Sequence, residues 1–281
     1  SVLEQKAPVA VTELSSFVLE YFEYIKRAPE VAVITNLYQD HLNRHGTMES
    51  YARAKANIFA HQQSADTLIL NANDQWSQFF VDQKPQARLL WFDTEPLAIE
   101  RDGLYWHADA LWWQENGERA QVVRVPGFVE AWGEHNVFNL LASALAARAA
   151  GVSGGVIQSR IATLPTVPYR QEIILQSSKL TIINDTTATS PEGGMAAIRR
   201  LHAPNMVLIC GGTDRQLDYR AWARLVRTHV NCNNLIFLAG SATQKMCTAL
   251  GTWRRGIRIY STLEEAFDAG VRRAREYGHG L

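Results

Sequence analysis

Val31-Ala-Val-Ile-Thr-Asn36 runs into a polar loop, Leu37 to His45, and then into a helical pattern from Met48 to Phe59. The first run is short, apolar and β-branched, as a buried strand is. In the last, Met48, Tyr51, Ala52, Lys55, Ile58 and Phe59 recur at the spacing of one helix face. The same alternation extends outward, upstream to Val9-Ala-Val-Thr-Glu13 and downstream to Thr67-Leu-Ile-Leu-Asn71 and Leu89-Leu-Trp-Phe92. Strands alternating with helices define an α/β fold on a mostly parallel sheet. Between Leu104 and Val125 the pattern turns aromatic and alternating, with Trp106, Trp112 and Trp113, which predicts an antiparallel hairpin appended to the sheet. A helix from Asn136 to Ala150 follows, stopped by Gly151.

Leu164-Pro-Thr-Val-Pro168 places two prolines between periodic segments, and the residue before each is pushed out of helical geometry. The domain boundary is therefore expected there, with one domain over 1–163 and a second, smaller α/β domain over 164–281. In the second, strand-like runs at 172–175, 180–184, 206–210 and 235–239 alternate with helices near 191–201, 218–229 and 262–276. The last helix carries a capping signal in Ser261-Thr-Leu-Glu264. At 281 residues and 47% hydrophobic, the chain has material for one large core or two ordinary ones. Its 28 acidic and 28 basic residues cancel, so no global field favours nucleic acid or an anionic membrane, and no apolar run is long enough to span one. Cys210, Cys232 and Cys247 have no metal-ligand spacing and suit a reducing cytoplasm. The start at Ser1 and the stop at Leu281, directly after a helical pattern, read as cut ends.

Chemistry-bearing residues gather where these strands run out, the place where open α/β sheets hold ligands. Thr12-Glu-Leu-Ser-Ser-Phe17 offers Glu13, Ser15 and Ser16, and Glu13 either suits a hard cation such as Mg²⁺ or faces water. The next loop concentrates Asn36, Asp40, His41, Arg44 and His45. There Asp40 would orient His41 as a metal ligand or proton acceptor, while His45 is equally read as a structural histidine. Lys55 lies on the apolar stripe, where burial lowers an amine's pKa and makes it available for chemistry unless the side chain snorkels past Tyr51 to water. Asn136 and Asn139 share the first turn of their helix, where they would read a purine edge or, for Asn136, cap the helix. Beyond the boundary, Arg170 follows the prolines. Asn184-Asp-Thr-Thr-Ala-Thr-Ser-Pro191 leaves a strand and opens a helix, adding the hydroxyls of Thr187, Thr189 and Ser190 to an anion-favouring helix start. Cys210-Gly-Gly-Thr-Asp-Arg215 leaves another strand through two glycines that let a ligand approach the backbone, with Arg215 able to fork onto a carboxylate.

Glu13-Leu-Ser-Ser-Phe17, Asn36 through Asp40-His41 to Arg44-His45-Gly46, Ala54-Lys55, His135-Asn136 to Asn139, Tyr169-Arg170, Asn184-Asp185 to Ala188-Thr189 and Gly211-Gly212 together resemble the Mur ligases in order and spacing. The Glu-Leu-Ser-Ser-Phe, Asn-Asp-x-x-Ala-Thr and Gly-Gly-x-Asp-Arg phrases are most similar to the branch that adds D-glutamate. The resemblance implies a central ATPase domain followed by a C-terminal Rossmann-like domain, in a cytoplasmic, monomeric enzyme of peptidoglycan synthesis that serves cell-wall biogenesis, cell shape and division. It implies ATP and Mg²⁺, with UDP-N-acetylmuramoyl-L-alanine and D-glutamate as substrates. ATP would phosphorylate the substrate carboxylate, and the amine of D-glutamate would attack the acyl phosphate and expel phosphate. On this resemblance Glu13 and His41 hold Mg²⁺, and Lys55 is carbamylated in support of the metal, which makes Lys55 and His41 the catalytic residues. Asn136, Asn139 and Asp185 hold the adenosine, Arg170 the phosphates, Ser15 and Ser16 a substrate, and Thr189 with Arg215 the D-glutamate.

The family's phosphate loop, Gly-x-x-x-x-Gly-Lys-[Ser/Thr], occurs nowhere in the chain, and Thr187 stands where many members of the branch carry lysine. Phosphoryl transfer depends mainly on positioning and charge neutralisation, so the chain by itself is expected to be inactive. Two other readings accommodate the same residues: a nucleotide- or muropeptide-binding protein without catalysis, and a folylpolyglutamate-type amide ligase.

Overall fold

The computed structural model describes residues 9–254 and 256–277. Two short helices, α1 (Ser16–Leu19) and α2 (Phe22–Ile25), precede the first strand. Then come β1 (Val31–Ile34), α3 (Leu42–His45), α4 (Met48–Ala56), β2 (Thr67–Asn71), α5 (Ser77–Asp82) and β3 (Arg88–Asp93). These are followed by β4 (Gly103–His107), β5 (Ala110–Glu115), β6 (Glu118–Arg124), α6 (Phe128–Trp132), α7 (His135–Ala149) and α8 (Gly154–Ile161). The strands form one six-stranded sheet in sequential order, parallel from β1 to β4 and antiparallel from β4 to β6. The parallel part is buried as such strands are: Leu68, Ile69 and Leu70 of β2 are all 0% exposed. Full burial of each such side chain contributes about 1.5–3 kcal/mol.

Three expectations are revised here. Val9 to Glu13 is not a strand, and Val9 and Val11 are 63% and 95% exposed. An apolar run becomes a strand only with a ladder partner, and β1 pairs with β2 alone among the described residues. The hairpin over 104–125 is a three-stranded meander, because alternation records which face is buried but not how many strands share it. Gly103 makes the meander's junction with the parallel part: its φ is 153°, and a Cβ there would stand 1.8 Å from the Trp91 carbonyl oxygen. Finally, the cap of the last helix is Thr262, whose Oγ1 accepts the Glu265 N–H at 3.2 Å, one residue after the expected Ser261.

The second region contains β7 (Glu172–Gln176), β8 (Thr181–Asn184), α9 (Pro191–Leu201), β9 (Leu208–Gly211), α10 (Arg220–His229), β10 (Leu235–Leu238), α11 (Ser241–Leu250), β11 (Arg258–Tyr260) and α12 (Leu263–Tyr277). β9, β10 and β11 make a parallel sheet in the order β11-β10-β9, and β7 with β8 makes a separate antiparallel pair. Trp222, Val226, Phe237, Met246 and Leu250 form its core. The chain divides into two compact units, one reaching Ala131 and resuming over Asn136–Ala162, the other comprising Trp132–His135 and everything from Thr163. Among the described residues no helix is long and apolar enough to cross a membrane.

Candidate active site

The loop leaving β1 is pinned before it reaches its chemistry. Asn71, 7% exposed at the end of β2, donates from Nδ2 to the Thr35 carbonyl at 3.0 Å, and Asp74 Oδ2 accepts the Leu37 N–H at 2.8 Å. Beyond these anchors His41 has a left-handed backbone, φ 54°, which a non-glycine residue keeps only when its surroundings hold it. Asp40 supplies part of that hold: Oδ1 accepts the His41 N–H at 2.8 Å, and Oδ2 lies 3.5 Å from Nε2.

Four rings close around this point. Phe17 meets His41 edge-on at 5.0 Å and stacks on His45 at 5.9 Å, while Tyr51 meets His41 edge-on at 5.9 Å and stacks on His45 at 5.2 Å. His45 is the inner of the two histidines. Its Nε2 is 2.9 Å from Ser16 Oγ and its Nδ1 3.5 Å from Glu20, which also accepts a 2.8 Å hydrogen bond from Arg44. Burial lowers the His45 pKa, Glu20 pulls it back, and His41, Arg44 and Lys55 push it further down. His45 is thus the structural member of the pair. Ser16, 1% exposed, meets that ring with its hydroxyl, whereas Ser15 is exposed and caps α1, its Oγ accepting the Val18 N–H at 3.4 Å.

Lys55 leaves α4 alongside Tyr51, its Nζ 5.9 Å from the ring centroid. Burial lowers its pKa and the Glu13 carboxylate raises it in part, so the amine is partly desolvated within electrostatic reach of an acid. Among the described residues no group of three or more His, Cys, Asp or Glu is placed to hold a metal ion. Glu13 and His41 offer an oxygen and a nitrogen, and a Lys55 ammonium would repel a cation. A Lys55 carbamate would instead add oxygen donors, and that set fits a hard cation such as Mg²⁺.

In the second unit Arg170 sits on a turn flanked by two left-handed residues, Tyr169 at φ 64° and Gln171 at φ 46°. The loop after β8 clamps both flanks. Thr187 donates from its backbone N and its Oγ1 to the Tyr169 carbonyl at 3.1 and 2.8 Å, and the Gln171 N–H donates to Asp185 Oδ1 at 3.0 Å. Thr187 therefore secures the turn. Burial raises the Asp185 pKa, which the Gln171 N–H, Arg170 and Arg200 lower in part. Thr189 is exposed beyond this clamp, and Ser190 caps α9, its Oγ accepting the Gly193 N–H at 3.2 Å.

The Gly211-Gly212 pair reads differently in the structure. A Cβ on Gly211 would stand 2.2 Å from the Leu238 carbonyl oxygen, so packing against β10 already requires that glycine, while Gly212, at φ 126°, opens onto space. The loop beyond is anchored by Asp214, whose N–H donates to Ser241 Oγ at 2.8 Å and whose Oδ2 lies 2.5 Å from Lys245 Nζ. The Lys245 hydrogen bond holds the Asp214 carboxyl below its ordinary value. Arg215 is exposed on this anchored loop. Asn136 is not the helix cap, because α7 already begins at His135; its Oδ1 accepts the Asn139 Nδ2 at 2.9 Å, so the two amides act as one polar surface.

The structure thus brings Glu13, His41 and Lys55 into one neighbourhood and Arg170 with Asp185 into another, with Arg215 on a separate loop. Sequence reasoning missed the holders: Glu20, Asn71, Asp74, Gln171 and Arg200. Tyr51 was legible as Lys55's neighbour one turn earlier on the apolar stripe, but Gln171 carried no signal.

Two α/β units, with a histidine–carboxylate–lysine cluster in one and an arginine–aspartate turn in the other, define the class. The Mur ligase middle domain matches residues 1–147, and the chain belongs to the Mur ligase family. The UDP-N-acetylmuramoylalanine--D-glutamate ligase of Roseiflexus sp. (strain RS-1) is 35% identical over 260 residues, 89% of this chain and 55% of that protein. The chain spans about half the length of the curated relatives it matches. Among solved structures, MurF from Acinetobacter baumannii aligns with a TM-score of 0.67 at 18% identity, over 91% of this chain and 56% of that one. MurF ligase from Thermotoga maritima in complex with ADP aligns with a TM-score of 0.56 at 15% identity, over 95% and 66%. At such identities these two show the fold.

Proposed function

We propose that this chain is part of an ATP-dependent amide ligase that joins D-glutamate to UDP-N-acetylmuramoyl-L-alanine in cytoplasmic peptidoglycan synthesis. The observation that carries the reading is Lys55: a half-buried amine with a lowered pKa, within electrostatic reach of Glu13 and sharing the Tyr51 ring with His41. Such an amine reacts with CO₂, losing a proton and gaining a carboxylate. Glu13, His41 and the Lys55 carbamate would hold Mg²⁺, which when bound neutralises charge on the transferring phosphoryl group. The chain's own residues would position the reactants. Asn136, Asn139 and Asp185 would hold the adenosine, Arg170 the phosphates, exposed Ser15 the muropeptide, and Thr189 with Arg215 the two carboxylates of D-glutamate. Identity to a D-glutamate ligase over most of the chain supports that amino acid, and an ADP complex among the fold's neighbours supports the nucleotide.

The test is phosphate release by the protein as expressed from its own gene, with ATP, Mg²⁺, UDP-N-acetylmuramoyl-L-alanine and a panel of amino acids. D-Glutamate should be preferred. Preference for L-glutamate on a folate would point to the folylpolyglutamate-type ligase, and nucleotide binding without any phosphate release would support a non-catalytic binding protein.

A further inference from the structure

Gly133 leaves no room for a side chain: a Cβ there would lie 2.8 Å from Arg200 Cδ and 2.9 Å from His135 Cε1, at a φ of 83°. The two side chains crowding it are joined by a third residue. Gln171 Oε1 accepts from Arg200 Nη1 at 2.8 Å, and Gln171 Nε2 lies 3.3 Å from His135 Nε2. Burial first, then Arg200 and Arg170, lower the His135 pKa, so the ring is neutral and its Nε2 accepts the Gln171 amide proton. The backbone N–H of the same glutamine meets Asp185 Oδ1 at 3.0 Å. Three elements distant in sequence, the start of α7, the loop after β8 and helix α9, therefore converge on one left-handed residue directly after Arg170.

We propose that Gln171 is the positioning residue for nucleotide binding in the second unit: it joins Arg200, His135 and Asp185 around a single turn and so fixes where Arg170 and Asp185 meet the nucleotide. This rests on the ligase reading above, in which those two residues contact ATP. The carboxamide bridges Arg200 and His135 without a charge: its oxygen suits the Arg200 guanidinium and its nitrogen suits a neutral His135 acceptor, whereas glutamate would require the ring to carry its proton on Nε2 and would add a charge close to Asp185. Glycine would relieve the left-handed backbone while deleting the bridge.

The experiment measures affinity for a fluorescent ATP analogue, together with KM for ATP and for D-glutamate, on the protein as expressed from its own gene. Gln171→Gly and Gln171→Glu should each weaken nucleotide binding and raise KM for ATP about tenfold. KM for D-glutamate should stay within about twofold, and Arg200→Ala added to Gln171→Gly should cost less than about a further twofold, because the contact is already gone. Wild-type nucleotide affinity in Gln171→Glu, equal shifts in both KM values, or full additivity of the double variant would overturn the proposal. If Gln171→Gly fails to fold, Gln171→Glu carries the same test. Absence of nucleotide binding by the wild-type protein would instead defeat the ligase reading, and this inference with it.

Discussion

The histidine cluster of the first unit and the Arg170 turn of the second hold their functional side chains by different physics. Around His41 the hold is made of rings: Phe17 and Tyr51 meet it edge-on at 5.0 and 5.9 Å and both stack on His45, with Asp40 as the polar contact on its backbone. Around Arg170 it is made of hydrogen bonds, from Thr187, Gln171 and Asp185 onto the turn and from Arg200 and Gln171 behind it. Ring packing is additive and tolerates small shifts. A half-buried polar network is steeper, since removing one member takes partners from the others. The first unit should therefore lose function chiefly through its reactive groups, and the second through its scaffolding.

The largest expected effect breaks the first half of that comparison. Lys55→Ala should lower ligase turnover by at least about a hundredfold, the usual cost of losing an electrostatic transition-state contact. Short carboxylates added to the assay should restore part of it, because they would fill the space of the carbamate, and full activity without any supplement would remove the role. A smaller effect belongs to the second unit's exposed loop. Arg215→Ala should raise KM for D-glutamate about tenfold while moving KM for ATP much less, as expected for loss of a planar fork on a carboxylate. Equal shifts would assign Arg215 to the scaffold instead.

Acidification sharpens the comparison further. His45 and His135 both have pKa values lowered from 6.5, one in each unit. With the folded value depressed, the unfolded chain takes up protons first, so the stability from each neutral ring is complete above about pH 6.5 and is lost as pH falls through the folded value. Asp185 has the opposite sign: its carboxyl is raised from 3.8, so its contribution favours the protonated form and declines as pH rises through the folded value. Thermal melts between about pH 7.5 and 5.5 should show a falling Tm. His135→Gln should flatten that slope, and an unchanged slope would place the sensitivity in the first unit.

The smallest effect concerns the sheet edge. Gln158 on α8 plugs β6 like a short strand, its Oε1 accepting the Arg124 N–H at 2.9 Å and its Nε2 donating to the Arg124 carbonyl at 2.6 Å. Gln158→Ala should cost about 1 kcal/mol in a denaturant melt. It should also leave two unpaired backbone groups on an edge strand, which light scattering would detect as increased association.

The sequence by itself determined where apolar material lies along the chain. Val31–Ile34, Thr67–Asn71 and the helix expected over Asn136 to Ala150, observed as His135–Ala149, were legible because burial leaves a periodic trace in residue type. It also singled out the candidate site residues Glu13, His41, Lys55, Arg170 and Arg215, because few residue types can do the chemistry proposed for them. Strand pairing was decided only in three dimensions. The Val9 to Glu13 run has the composition of a strand, yet Val11 is 95% exposed, since a ladder depends on a partner that no local pattern encodes. The holders of the site were settled there too: Gln171 reaches His135 across 36 positions and Arg200 across 29, and neither contact leaves a periodicity. Hydrogen bonds between distant segments follow from how elements pack, and a left-handed glutamine shows itself only once the groups that hold it have been brought around it.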